Sequence, residues 1–363
     1  MSSERPQLDE SPTRRARLLD AQLRGLISEH RGAPVDAASA PLPIGAGLIV
    51  ASDDGRDVAS DDGRDVASDD GRDVASDDGR DAWVLLDAQG GARPARALGP
   101  ALAWAIRQRA SRLNIISAVD GGMLARRAGH FDLPIDVWFP QERELLPVVE
   151  EPLPVPPAAV AAHLAFADEI VDAGADVVVE HGVVTGEAHG LEVCRVVDGS
   201  DGVARLEVGV GAQDRDAFGL LHGDQPPEDA LAQVVAHVVR QRSPDAPQHP
   251  LNRIAGERLL RWSLVQDPGA VDLIELVAAA PPVPRGGLNE MDPCVALGRD
   301  GAGADVVVVV SSGVDLDLLP FVADVRLEHD RPVVVALPAR DRLPITDELA
   351  ALIGPGVELR SVG

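Results

Sequence analysis

The C-terminal stretch from Ala304 constrains the fold more than any other part of the chain. It reads "ADVVVVVSS", "DLDLLPFVADVRL", "RPVVVAL", "TDELAALIG" and "GVELRSV". Runs of β-branched residues alternate with longer segments of helical spacing, so the order is strand, helix, strand, helix, strand. A helix between successive strands permits a parallel crossover, and such crossovers are almost always right-handed. The expected class is therefore α/β with two domains, the second ending in a short parallel β-α-β-α-β sheet. At 363 residues the chain is long enough for two cores.

The segment "PVVEEPLPVPPAA" marks the expected boundary. Its five prolines between Pro147 and Pro157 favour a stiff, extended connection. This divides the chain into an N-terminal α/β domain at 1–146, a Pro-rich linker at 147–158 and a C-terminal α/β domain at 159–363. In the first domain, "PTRRARLLDAQLRGLISEH" is read as a helix with Leu19, Leu23, Leu26 and Ile27 on one face. "ARALGPALAWAIRQRAS" is a second helix, and "RLNIISAV", "DLPIDVWFP" and "ELLPVV" are strands. The second domain opens with the helix "AAVAAHLAFADEIVDAGA". Strands "DVVVE", "GLEVCRVVD" and "ARLEVGVG" follow, then helices "PEDALAQVVAHVVRQRS" and "HPLNRIAGERLLRWSL".

Between the strand-like segments "GAGLIVAS" and "AWVLLD" stands an octapeptide, "VASDDGRD", repeated four times without change over Val50 to Asp81. Without three of its units the segment is a plausible hairpin with an Asp-Gly turn. Closure entropy grows only with the logarithm of loop length, so enlarging the tip from "DDGRD" to the span Asp53–Asp81 costs about 1.5 kcal/mol. One valine per unit, worth roughly 1.5–3 kcal/mol when buried, does not offset the roughly 8–16 kcal/mol needed to order eight residues. The adjacent acids and absent Glu do not match an EF-hand, and each arginine cancels one acid. The repeat is therefore read as a solvated loop, with calcium binding as the alternative.

Composition removes several functions. The formal net charge is −26; each repeat unit carries three Asp and one Arg, so four units supply −8 and the remainder −18. Such a field repels nucleic-acid backbones and anionic membranes. The chain has no lysine, which excludes a P-loop, a Schiff-base mechanism and a kinase-type phosphate lysine. No apolar run approaches the ~20 residues of a spanning helix. Two cysteines, Cys194 and Cys294, make no disulfide framework. The glycines of "GRDGAGADVVVV" precede a strand, where a turn belongs, not a dinucleotide fingerprint. "SSGVDLD" could offer backbone donors to an anion at a helix start, but Asp315 and Asp317 oppose this.

Carboxylates and imidazoles concentrate between Glu180 and Asp224. Acids on adjacent strands can converge on one edge and hold magnesium or manganese. Glu187, Glu192 and Glu207 are the candidate metal ligands, and His189 or His222 the candidate general base. The order of elements resembles that of restriction-endonuclease-like domains, with Glu192 on the second strand and Glu207 on the third. That resemblance implies a metal-dependent phosphodiesterase, but the residue two after Glu207 is Gly209, where the pattern has a lysine. The primary expectation is a soluble cytoplasmic protein that acts by binding a protein or small molecule. A metal-dependent phosphodiesterase or nuclease-like enzyme, using Mg or Mn, is the alternative.

Overall fold

The computed structural model describes residues 12–52, 79–89, 93–221, 227–243, 249–286, 290 and 292–363. It is mixed α/β, and the chain divides into two compact units, Met1–Pro152 and Leu153–Gly363. The repeat from Asp53 to Asp78 and its calcium alternative lie outside the described residues.

In the first unit, α1 (Pro12–Arg31) leads to β1 (Ala40–Leu42), β2 (Gly45–Ala51) and β3 (Arg80–Leu86). Then come α2 (Leu98–Arg107), β4 (Arg112–Ile116), α3 (Gly121–Ala128), β5 (Ile135–Gln141) and β6 (Glu144–Pro147). The six strands lie in sequence order in one sheet. β1 to β3 are antiparallel, β3 to β5 are parallel through the α2 and α3 crossovers, and β6 is an antiparallel edge. The apolar stripe of α1 explains its docking: Leu23, Leu26 and Ile27 are buried in one cluster with Leu48, Trp83, Leu85 and Ile116. Pro12 takes the helix's first turn, where no donor is lost.

Residues after β6 stay bound to this unit. Val148 N donates to Val137 O, Glu151 N donates to Gly122 O, and Arg126 Nη1 donates to the carbonyls of Glu151 and Pro152. These bonds tie the opening half of the proline-rich segment to α3 and β5, and the unit runs to Pro152.

The second unit contains two sheets. Short helices α4 (Ala161–Leu164) and α5 (Ala167–Asp172) precede β7 (Asp176–Glu180), β8 (Val183–Ala188), β9 (Leu191–Asp198) and β10 (Ala204–Val208). These four strands form an antiparallel meander. The sequence reading gave this region three strands; β8 is the addition, so Glu192 lies on the third strand and Glu207 on the fourth. Two His-Gly pairs make its tight turns. His181 and Gly182 have φ of 48° and 79°, and His189 and Gly190 have 46° and 74°. Type I′ two-residue hairpins need positive φ at both central positions, which glycine takes freely and histidine tolerates. At Gly190 the need is absolute, because an added Cβ would sit 2.3 Å from Arg258 O. The apolar face, including Val184, Val193 and Val196, packs with Leu231 and Val235 of α7 (Pro227–Gln241), which follows α6 (Gly211–Leu221).

Helix α8 (Gly256–Gln266) then leads to the second sheet: β11 (Leu273–Ala279), β12 (Cys294–Asp300), β13 (Asp305–Val310), β14 (Val333–Pro338) and β15 (Val357–Val362). α9 (Leu318–His329) joins β13 to β14, and α10 (Pro344–Leu352) joins β14 to β15. β13, β14 and β15 are parallel, but they do not stand alone. β11 and β12 extend them antiparallel, giving a mixed five-stranded sheet. The glycines before β13 form the β12–β13 turn, in which Asp300 Oδ1 accepts from Ala302 N and Ala304 N. Leu264 of α8 packs on Val306, Val308 and Val310. Among the described residues no helix is long and apolar enough to cross a membrane.

Candidate functional site

The antiparallel register brings three acids into one row. Asp176 is the Cα partner of Glu187, and a register shift after Gly186 makes Glu187 the partner of Glu192. Glu207, one strand further, is opposite Arg195. Two of the sequence candidates, Glu187 and Glu192, are therefore neighbours, and both are almost fully buried at 3% exposure. A buried carboxylate needs a partner, and in each case the partners are guanidinium groups.

Glu187 accepts from Arg258 Nη1 at 3.3 Å and from Arg261 Nη2 at 3.0 Å, both on α8. Arg261 also donates to Glu180 Oε1 at 3.1 Å, and Arg285 Nε donates to Glu180 Oε2 at 3.0 Å. Burial alone would raise the Glu180 carboxyl, but Arg285 and Arg261 outweigh it and hold it below its ordinary value. Nearby, Glu257 is raised, chiefly because burial disfavours its charged form. Glu192 accepts from Arg195 Nη2 at 2.9 Å and from Arg215 Nη1 at 2.6 Å. Arg215 Nε also lies 4.0 Å from Glu207, whose closer partner is Arg205 Nη2 at 3.1 Å. A positive charge on α6 thus stands between Glu192 and Glu207.

The histidines are placed by their turns. His189 stacks on Trp262, with centroids 3.8 Å apart, and its backbone O accepts from Arg242 Nε. Burial lowers the His189 pKa, and its Nδ1 is enclosed without a hydrogen-bond partner. His222 lies outside the described residues. His181, at the other end of β8, donates from Nε2 to Pro281 O at 2.8 Å. Cys194 is fully buried in the meander's core, and burial pushes its thiol up to about 12. Cys294 is also buried; it accepts a hydrogen bond from Arg285 Nη1 at 2.9 Å, and burial raises its thiol despite that neighbour.

The loop after β13 is satisfied from within. Gly313 N donates to Asp341 Oδ2 at 2.8 Å and Asp317 N to Asp315 Oδ1 at 2.9 Å, so carboxylates of the chain take the backbone donors expected to suit an anion. Among the described residues no group of three or more His, Cys, Asp or Glu side chains is arranged to hold a metal ion. The arginines that sequence reasoning did not include, Arg215, Arg258, Arg261 and Arg285, are the dominant feature of the region. Their signal in the sequence was weak: arginine is the chain's sole cationic side chain besides histidine, so its occurrence carried little positional information. Comparison with known proteins finds no matching family model, no matching curated protein and no matching solved structure.

Proposed function

We propose that the protein acts by binding a protein or small molecule, and that the carboxylates of its second unit are structural. The supporting observation is that Glu187 and Glu192 are buried and each accepts from two arginines. A divalent cation at these oxygens would have to displace guanidinium groups that already balance their charge, and the expelled arginines would need new partners in a buried setting. Arg215 opposes a metal bridging Glu192 and Glu207 for the same reason. The net charge of −26 favours partners that are not polyanions.

Titration of magnesium and manganese by calorimetry and thermal melting tests this reading. Wild type and the Glu192→Gln, Glu207→Gln double variant should respond equally, with only weak, non-saturating surface binding. A saturable site worth about 2.7 kcal/mol of stabilisation at one hundred times its Kd, present in wild type and absent from the double variant, would overturn it. That outcome would favour the metal-dependent phosphodiesterase, with Glu187, Glu192 and Glu207 as ligands and His189 or His222 as base.

A further inference from the structure

A groove of about 680 Å³ runs between α1 and the β1–β2 hairpin of the first unit. Its volume falls within the range of about 300–1,000 Å³ common for small-molecule sites. Leu19 of α1, Pro41 of β1 and Ala46 of β2 give it an apolar floor. Pro41 and Ala46 are Cα partners in the hairpin, Pro41 exposed and Ala46 buried.

Among the described residues, the charged side chains that line this floor are unequal in number. Arg15, Arg17 and Arg24 line the groove together with Asp20 and Asp87. Arg15 forms a two-point contact with Asp87, and Arg24 is paired with Asp20 one helical turn away. Arg17 is exposed and has no ion-pair partner among the described residues. Among the described lining residues, three arginines thus stand against two aspartates. On a chain of net charge −26 this is the opposite sign to the whole. The distant acids weaken it little at contact range, because charges more than about 8 Å away are largely screened at physiological ionic strength.

We propose that this groove binds an amphipathic monoanion: one carboxylate or sulfonate on an apolar body, with the charge at Arg17 and the body over Leu19, Pro41 and Ala46. A second negative charge on the ligand would meet Asp20 and Asp87, which argues against phosphate monoesters and other dianions. A cation would face three arginines. A neutral apolar molecule would gain the floor but leave Arg17 unmatched. The proposal gives the binding reading a ligand class and a location. The metal titration reports on the second unit and this site lies in the first, so either can fail while the other stands.

The test uses the full-length protein with 1-anilinonaphthalene-8-sulfonate as a fluorescent probe and octanoate, octanol and octyltrimethylammonium as competitors. Octanoate should displace the probe, with octanol and the cation at least about tenfold weaker. Arg17→Glu should weaken octanoate about tenfold, Arg17→Lys should retain it, and Ala16→Trp should fill the groove and abolish displacement. Ala16 and Arg17 are both exposed on α1, so cooperative melting should be unchanged in these variants. If a variant does lose cooperative melting, the selectivity among the three competitors on wild type still decides. No displacement by octanoate, equal displacement by octanol, or undiminished octanoate binding in both Arg17→Glu and Ala16→Trp would overturn the proposal.

Discussion

Replacing Arg261 by methionine tests whether the arginine–carboxylate network holds the second unit together. The side chain is 2% exposed and lies between two carboxylates, 3.1 Å from Glu180 and 3.0 Å from Glu187. Methionine keeps most of the apolar stem, so the change isolates the charge. Removing one partner from a buried ion pair costs about 3–5 kcal/mol, because the other charge is left without compensation. Here each carboxylate keeps a second arginine, Arg285 for Glu180 and Arg258 for Glu187. The loss should therefore fall near the lower limit, about 3 kcal/mol. Arg195→Met is the control. Arg195 also pairs with a buried glutamate, but its side chain is 38% exposed, so it should cost less than about 1 kcal/mol. Urea unfolding followed by far-ultraviolet circular dichroism measures both. The Arg261→Met, Glu187→Gln pair should cost less than the sum of its single changes by about 1 kcal/mol or more, the mark of a direct interaction. If Arg261→Met cost no more than Arg195→Met, the network would behave as solvated surface pairs and the reasoning would fail.

Two further outcomes follow from the same geometry. Glu180 is held below its ordinary value of 4.5, so its contribution to stability is present above that pH and is lost as pH falls through the lower folded value. Glu180→Gln should flatten the acid limb of a stability–pH profile below about 4.5, and an unchanged limb would show that other carboxylates control it. Deleting Asp57 to Arg80 removes three repeat units and puts Arg56 in the place of Arg80. Because β2 and β3 remain paired from Val50 and Asp81 inward, stability should change by no more than about 1.5 kcal/mol. Loss of a cooperative thermal transition in this variant would mean that the repeat supports the sheet.

The mixed α/β class was legible because apolar runs and helical spacing alternate so regularly after Ala304. What surrounds those strands was harder to read. β8, "VVTGEA", carries a glycine and a buried glutamate, both of which read as breaks in a strand. Gly186 is there because an added Cβ would sit 2.6 Å from Cys194 Sγ. Glu187 can be buried there because Arg258 and Arg261, 71 and 74 residues later in sequence, come to meet it. No local pattern encodes a partner at that distance. β11 and β12 were missed because "LIELVAA" and "CVALGRD" carry charged residues and flank a proline- and glycine-rich stretch that reads as a loop. The sequence named Glu187, Glu192 and Glu207 but not their register, which pairs Glu187 with Glu192 and sets Glu207 opposite Arg195; of the arginines beside them, Arg215, Arg258 and Arg261 come from α6 and α8. The sign of the site's electrostatics is a tertiary property.

The two His-Gly turns have a consequence for any chemistry attributed to this region. They cap opposite ends of β8, whose six residues, five steps at about 3.3 Å each, put roughly 16 Å of strand between the two turns. One substrate atom cannot lie within reach of both rings, which rules out a relay in which one imidazole removes a proton and the other returns it. Each histidine is local to its own end: His181 is tethered to Pro281 and His189 to Trp262. β8, which contributes Glu187 to the row of acids, therefore behaves as a spacer bar between the two turns.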